Sequence, residues 1–319
     1  MPSVCIVGCA SWDTLLPVDR YPPEGEYCIA TAEIELPGGT STNAAMTLAR
    51  LGVPPRFVGM VGSDWRGEQL RAGLMGAGVV CDTLAVRQGQ DSDRSVIPIS
   101  PSGGRTIFWI KGATIERGDV LDLPLIFSHR IVYLDIVDLA LWRDVLNAYE
   151  RGGATDTHRP RCVGQAVYVA GVLPPDDALA LIARHDAFIG GEWEWHLMAG
   201  TTARADLIAR LERLVQSATL ATAIVTHGAE GCTVVTRART FTAPAAAVTV
   251  VDTTGAGDAF AAGFIYGLDA GWEPERCAQF ANAVGGLATR AFGSQASLPT
   301  RDEAWRLAFG TTPSETHQR

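Results

Sequence analysis

The sequence predicts an α/β fold: a mostly parallel sheet covered by helices on both faces, with a small antiparallel sheet acting as a lid. Three observations predict it. Short β-branched runs alternate with helix-length amphipathic segments along most of the 319 residues. Strand-like runs end in glycine turns, as at Gly8 and Gly62. Two proline- and glycine-marked sections, near 14–37 and 93–111, carry short alternating pieces that do not read as strand–helix–strand crossovers.

Taken in order, residues 3–9 form an apolar run with the look of a buried parallel strand. Asp13 lies just beyond, where open α/β sheets bind ligands, although an aspartate there also suits a turn. Residues 15–36 hold Pro17, Pro22, Pro23 and Gly25 between pieces such as 29–34, which read as edge strands. Residues 95–99 and 105–110 flank a Pro101-Ser102-Gly103-Gly104 turn and read as a hairpin. Between these sections, 37–52 is a double-glycine turn, Gly38-Gly39, followed by an Ala-rich helix with Ala45, Leu48, Ala49 and Gly52 on one face. Asn43 sits in its first turn, where it can cap locally or offer a donor and an acceptor to a polyol. Strands are expected near 55–61, 129–134, 163–171, 186–190 and 221–227, and helices near 66–76, 138–150, 176–184, 204–217, 257–270 and 274–290. Asp135, at the end of the strand expected near 129–134, could meet a sugar hydroxyl or cap the helix that begins near Leu139.

The most informative stretch is Val250-Val251-Asp252-Thr253-Thr254-Gly255-Ala256-Gly257-Asp258, followed by an apolar helical run. It reads as a strand end, a tight glycine turn and a helix start that Thr253 or Thr254 could satisfy. Unpaired amides and the positive end of the helix dipole make such a turn a cradle for phosphate. Asp258 would repel an anion there, unless it takes a hydroxyl proton while the amides hold the transferring phosphoryl. A capping role is the plainer alternative.

Asp252-Thr253-Thr254-Gly255-Ala256-Gly257-Asp258 resembles the C-terminal signature of the ribokinase-like (PfkB) family of small-molecule kinases. Gly38-Gly39-Thr40-Ser41-Thr42-Asn43 is similar to its N-terminal signature, and Gly62-Ser63-Asp64-Trp65-Arg66-Gly67 to its Gly-x-Asp-x-x-Gly step. The resemblance spans about residues 4–299. It implies a ribokinase-like three-layer α/β/α core over 1–310, with lid segments 14–37 and 93–111 and a polar tail at 311–319. It also implies transfer of the ATP γ-phosphoryl to a hydroxyl of a sugar, or alternatively of a nucleoside, with Mg2+ on the phosphates. By resemblance, Asp258 is the base, Gly255, Ala256 and Gly257 form the anion hole, and Asp13, Gly38, Gly39, Asn43 and Asp135 hold the acceptor. Thr226, Gly228, Gly231, Asn282 and Glu194 would serve the nucleotide, and Asp252 with Thr254 a monovalent cation such as K+. Gly191 stands where the family usually has the Asn of an Asn-x-x-Glu step. A non-catalytic ligand-binding relative is therefore a further alternative, opposed by the intact Asp258. The lid could pair two copies, although prolines oppose pairing at its edges.

A net charge of −9 argues against nucleic acid as a partner. A hydrophobic share of 47% supports a large core, and no apolar run is long enough for a membrane span. The seven cysteines are scattered without metal or disulfide spacing, and no basic leader opens the chain, so the cytoplasm is expected. Lys111, the sole lysine, could hold a phosphate or stand in solvent. Neither a Gly-x-Gly-x-x-Gly after the first strand nor a P-loop lysine motif is present, against a dinucleotide oxidoreductase and a P-loop NTPase. Trp193, Trp195 and His196 read as packing residues.

Overall fold

The computed structural model describes residues 1–101, 104–152 and 159–311. Part of the 101–104 turn and all but the first residue of the 311–319 tail therefore lie outside the described residues.

The main sheet comprises β1 (Val4–Gly8), β4 (Arg56–Gly62), β5 (Leu84–Arg87), β8 (Ile131–Asp135), β9 (Arg161–Gln165), β10 (Ala187–Gly191), β11 (Thr222–Thr226), β12 (Cys232–Thr236) and β13 (Thr240–Ala243). Their spatial order is β13-β12-β11-β10-β9-β8-β1-β4-β5. All pairings from β11 to β5 are parallel, and β12 and β13 close one edge antiparallel. Strand side chains alternate between two cores. Val4 and Ile6 of β1 face one side, Cys5 and Val7 the other.

On the first side pack α1 (Thr40–Arg50), α2 (Trp65–Gly76), α8 (Ala256–Asp269), α9 (Pro274–Ala288) and α10 (Arg301–Phe309). On the second pack α3 (Leu123–Phe127), α4 (Leu139–Gly152), α5 (Pro175–Ile182), α6 (Glu192–Ala199) and α7 (Arg204–Ser217). Helix α8 is buried nearly all round, as its uniformly apolar sequence requires. It can be so because Gly263 and Gly267 admit α9: a Cβ at Gly263 would sit 2.9 Å from Ala281 Cα, and one at Gly267 2.7 Å from Cys277 Sγ.

The lid contains β2 (Ser11–Pro17), β3 (Ile34–Gly38), β6 (Asp93–Ile99) and β7 (Phe108–Ile110), in the order β3-β2-β6-β7. Two antiparallel pairs, β2 with β3 and β6 with β7, are joined by parallel pairing of β2 with β6. Leu15, Ile97 and Ile99 give it a small core of its own. The lid begins earlier than expected, so that Asp13 lies on a strand rather than in a turn. The edge strand expected at 29–34 is reduced to a bridge from Ala30 to Val18.

Other expectations also shift. The run at 163–171 is a strand only over Arg161–Gln165; the chain turns at Ala166, whose N–H is held by Ile189 O at 3.0 Å. Asp138, not Asp135, caps α4, accepting from the amides of Ala140 and Leu141 at 2.8 and 3.1 Å. No strand precedes the glycine turn, since Val250 and Val251 are exposed. Helix α10, unforeseen, starts in a Thr300–Glu303 capping box that its sequence spells out. Among the described residues no helix is long and apolar enough to cross a membrane.

Candidate active site

The chain order of the parallel strands reverses at β1, which lies between β4 and β8. Ligands of open α/β sheets bind beyond the carboxyl ends at such a point. Those ends bring Gly8, Asp135, Gln165, Gly191 and Thr226 to one edge. Above them, between sheet and lid, lies a cavity of about 530 Å3 lined by Asp13, Gly39, Asn43, Asp93, Arg105, Gln165, Glu194, Thr226, Gly255, Gly257 and Asp258, among others. A second cavity lies at the opposite pole. Its charges are largely spent on each other, as in Arg130–Asp269 and Arg301–Asp302.

Asp258 is 7% exposed and reaches the cavity wall from the first turn of α8. Each of its carboxylate oxygens meets an amide. Asn43 Nδ2 donates to Oδ2 at 2.8 Å, and Gln165 Nε2 donates to Oδ1 at 3.1 Å. Burial pushes its pKa up to about 7, against the pull of those two donors. A carboxylate tuned near neutrality is what a general base requires.

The turn before α8 is shaped by Asp252. Its Oδ1 accepts from Thr254 N at 2.9 Å and Thr254 Oγ1 at 2.7 Å, and its Oδ2 from Gly293 N at 2.9 Å. Neither threonine caps the helix: Thr254 serves Asp252, while Thr253 Oγ1 accepts from Arg105 Nη1 at 2.8 Å. Gly255 occupies the left-handed region at φ 76°, where a Cβ would stand 2.6 Å from Ser294 Cβ. Ala256 N is bonded to Thr253 O at 3.2 Å, so it is not the free donor expected of it. Among the described residues the amides of Gly255 and Gly257 have no main-chain partner. A Cβ at Gly257 would meet no protein atom within 4 Å and would enter open space at the cavity wall. That gap, facing bare amides at a helix N-terminus, fits a phosphate group.

Across the cavity, Asp13 is buried, and its pKa is pushed up to about 7 by desolvation, against a hydrogen bond from Ser95, with Asp93 adding to the rise. Gly38 is its seat: any Cβ there would collide with the Asp13 carboxylate, so Gly38 acts through Asp13 and does not itself line the cavity. Gly38→Ala is therefore expected to raise the acceptor KM about tenfold or more, through displacement of one charged hydrogen-bonding group, with the ATP KM unchanged. Steady-state kinetics varying each substrate in turn would test it, and equal shifts in both KM values would refute it. Gly39 has φ 89° and lines the cavity. Asp93 is buried and its pKa raised by desolvation. Its two oxygens accept from Trp109 Nε1 at 2.8 Å, and Oδ1 also from Gly112 N at 2.9 Å. Trp109 is thereby held beside Tyr168, ring centroids 6.2 Å apart, as an aromatic wall.

Several expected residues lie elsewhere. Asp135 is fully buried below the cavity floor, where Oδ2 accepts from Thr40 Oγ1 and from Ser41 Oγ at 2.7 Å. It fastens the start of α1 to β8 and does not face an acceptor. Asn282 donates to Ala243 O and Pro244 O, each at 3.0 Å, and with Gly228 and Gly231 stands outside the cavity lining. Glu194 does line it; Oε2 accepts from Gly191 N at 2.6 Å, and burial raises its pKa. A Cβ at Gly191 would lie 3.3 Å from that oxygen. Trp193 is no packing residue: it is exposed and lines the cavity, whereas Trp195 is fully buried. Lys111 is exposed and outside the lining. The cation beside the turn before α8 is Arg105, from the lid.

Sequence reasoning missed Gln165, Asp93, Ser95, Trp109 and Arg105. The strand drawn through to residue 171 hid Gln165 within a β-branched run. The lid residues converge on the site only through β2–β6 pairing.

The pfkB family carbohydrate kinase model matches residues 1–301. The chain is 27% identical over 311 residues to a ribokinase of Bacillus subtilis, covering 96% of this chain and 99% of that protein. It is 28% identical to an ATP-dependent ribose-1-phosphate kinase of Halopiger xanaduensis, over 95% of this chain and 96% of that one. Among solved structures, Arabidopsis thaliana ribokinase complexed with ribose and ATP superposes with a TM-score of 0.82, at 25% identity, covering 97% and 99% of the two chains. With a family match over residues 1–301, this chain belongs to the pfkB family of carbohydrate kinases.

Proposed function

We propose that this chain transfers the γ-phosphoryl group of ATP to a hydroxyl of an unphosphorylated sugar. The observation that carries this is Asp258, seated on the wall of one cavity beside the open Gly255–Gly257 turn and facing a carboxyl-rich acceptor end. In the transfer, the acceptor hydroxyl oxygen bonds to the γ-phosphorus as the bond to the ADP oxygen breaks, and the hydroxyl proton passes to Asp258. The amides of Gly255 and Gly257, with the α8 dipole, hold the phosphoryl oxygens as charge shifts among them. Arg105 adds a guanidinium at the same turn. Asp13 accepts from acceptor hydroxyls, and Asn43 acts through Asp258, since its amide is already spent there.

Among the described residues no cluster of three His, Cys, Asp or Glu could ligate a metal, so Mg2+ would be held mainly by phosphate oxygens, with Glu194 a nearby carboxylate. Its chemistry is neutralisation of phosphate charge. The Asp252 oxygens accept from Thr254 and Gly293, and whether K+ rather than Na+ stimulates turnover in the same assay tests the cation role of Asp252 and Thr254. A substrate drawn from the ATP pool fits the expected cytoplasmic location. The exposed residues Phe108 and Ile110 on the edge strand β7 would suit a second copy of the chain.

Four carboxyl groups, Asp13, Asp93, Glu194 and Asp258, line the cavity, while among the described residues its one cationic lining residue, Arg105, stands at the turn before α8. That distribution disfavours an acceptor that already carries a phosphate. The aromatic wall of Trp109 and Tyr168 supports a second reading, a nucleoside acceptor whose planar base stacks there. ADP production with ribose, fructose, ribose 1-phosphate and nucleosides tests both. Turnover with an unphosphorylated sugar supports the first reading, turnover with nucleosides alone the second, and activity confined to ribose 1-phosphate overturns both. Sedimentation of the same preparation tests the dimer.

A further inference from the structure

We propose that Gln165 is a positioning residue for the base: its side-chain amide, locked by Tyr133, holds the Asp258 carboxylate so that its remaining lone pairs face the acceptor. This rests on Asp258 being the base, as proposed above. Tyr133 is fully buried on β8, and its hydroxyl donates to Gln165 Oε1. A buried hydroxyl left without an acceptor is costly, so the carbonyl end of the amide is committed to Tyr133. The NH2 end must then point at Asp258 Oδ1, 3.1 Å away. Reversing the amide would set a carbonyl oxygen against the carboxylate and leave the tyrosine O–H without its acceptor.

The other side of Asp258 is built the same way. Asn43 Oδ1 accepts from Ser294 Oγ at 3.0 Å and Gln295 Nε2 at 3.1 Å, which turns its NH2 toward Asp258 Oδ2 at 2.8 Å. The base is thus clamped between two amides, each oriented from behind. Each carboxylate oxygen has two acceptor sites and gives one to the protein, leaving one for a substrate hydroxyl. The clamp joins α1, β8, β9, α8 and the 294–295 loop on a single group. It also opposes the burial that would otherwise keep Asp258 protonated.

The test is the pH dependence of kcat, with an acceptor found by the panel above, in the native protein, Gln165→Leu and Tyr133→Phe. Loss of one hydrogen bond to a charged group should lower kcat at neutral pH about ten- to hundredfold in Gln165→Leu. The acid limb should move up by about one pH unit, because the lost donor favoured the ionised form. Raising the pH should restore part of the activity, and the ATP KM should stay within about twofold of native. Tyr133→Phe, which frees the amide without removing it, should shift the limb the same way by less. A folded Gln165→Leu protein, shown by an unchanged melting temperature, with the native acid limb would overturn the proposal. If Gln165→Leu does not fold, an unmoved limb in Tyr133→Phe overturns it. Should Asp258→Asn also prove active, the assignment of Asp258 as the base itself fails; an inactive Asp258→Asn beside a native-like Gln165→Leu sinks only the role of Gln165.

Discussion

Asp258→Asn is expected to bind ATP as the native protein does and to turn over about 10²- to 10⁴-fold more slowly, the usual contribution of a positioned general base. The substitution keeps the shape of the side chain and one acceptor oxygen, so one of the two amide contacts, from Asn43 or Gln165, survives. It also removes a charge from a buried site, and the fold should tolerate it. The pH dependence follows from the same environment. Burial raises the folded pKa to about 7, and the base works only when ionised. Turnover should therefore fall as pH drops through about 7, approaching tenfold per unit below it, and level off above. A titration of kcat/KM for the acceptor reports the free enzyme, where Asp13 also titrates near 7 and steepens the limb. Activity in Asp258→Asn within tenfold of native would remove this carboxylate from the chemistry.

Gly257→Ala should separate stability from function. The position is helical, and a methyl there would touch nothing within 4 Å. Replacing glycine in a helix gains about 0.5–1 kcal/mol, so the melting temperature should hold or rise. Yet the methyl would stand where the phosphoryl oxygens must lie against the amides, and kcat/KM for ATP should fall about 10²-fold or more. Gly255→Ala should behave differently. Its φ of 76° and the 2.6 Å approach of a Cβ to Ser294 Cβ mean that the turn itself must move. Local strain of about 1–3 kcal/mol is expected there, with activity and stability lost together. Thermal melts beside ATP kinetics distinguish the two, and a fully active Gly257→Ala would show that the phosphate lies elsewhere.

Much of the site was legible. The glycine turn with Asp258, the Gly38-Gly39 turn and Asn43 are local patterns: each is a backbone geometry that a short stretch imposes on itself. Ala256 was misjudged because whether an amide is free depends on how the turn closes, and Thr253 O takes it. Trp193 was misjudged because the sequence shows an aromatic residue but not which face of α6 meets solvent. Asp135 was placed correctly at a strand end but given the wrong task, because Thr40 and Ser41 reach it from a helix 94 or 95 residues earlier.

By itself, the sequence determined the alternation of strands and helices, the glycine turn before α8 and the carboxylate proposed as the base, since periodicity and glycine turns act over a few residues. Only the tertiary structure decided what surrounds that base: Gln165 from β9, Arg105 and Asp93 from the lid, and Tyr133 from beneath. These groups lie far apart along the chain and meet through strand pairing and the closure of the lid, contacts whose partners no local pattern specifies.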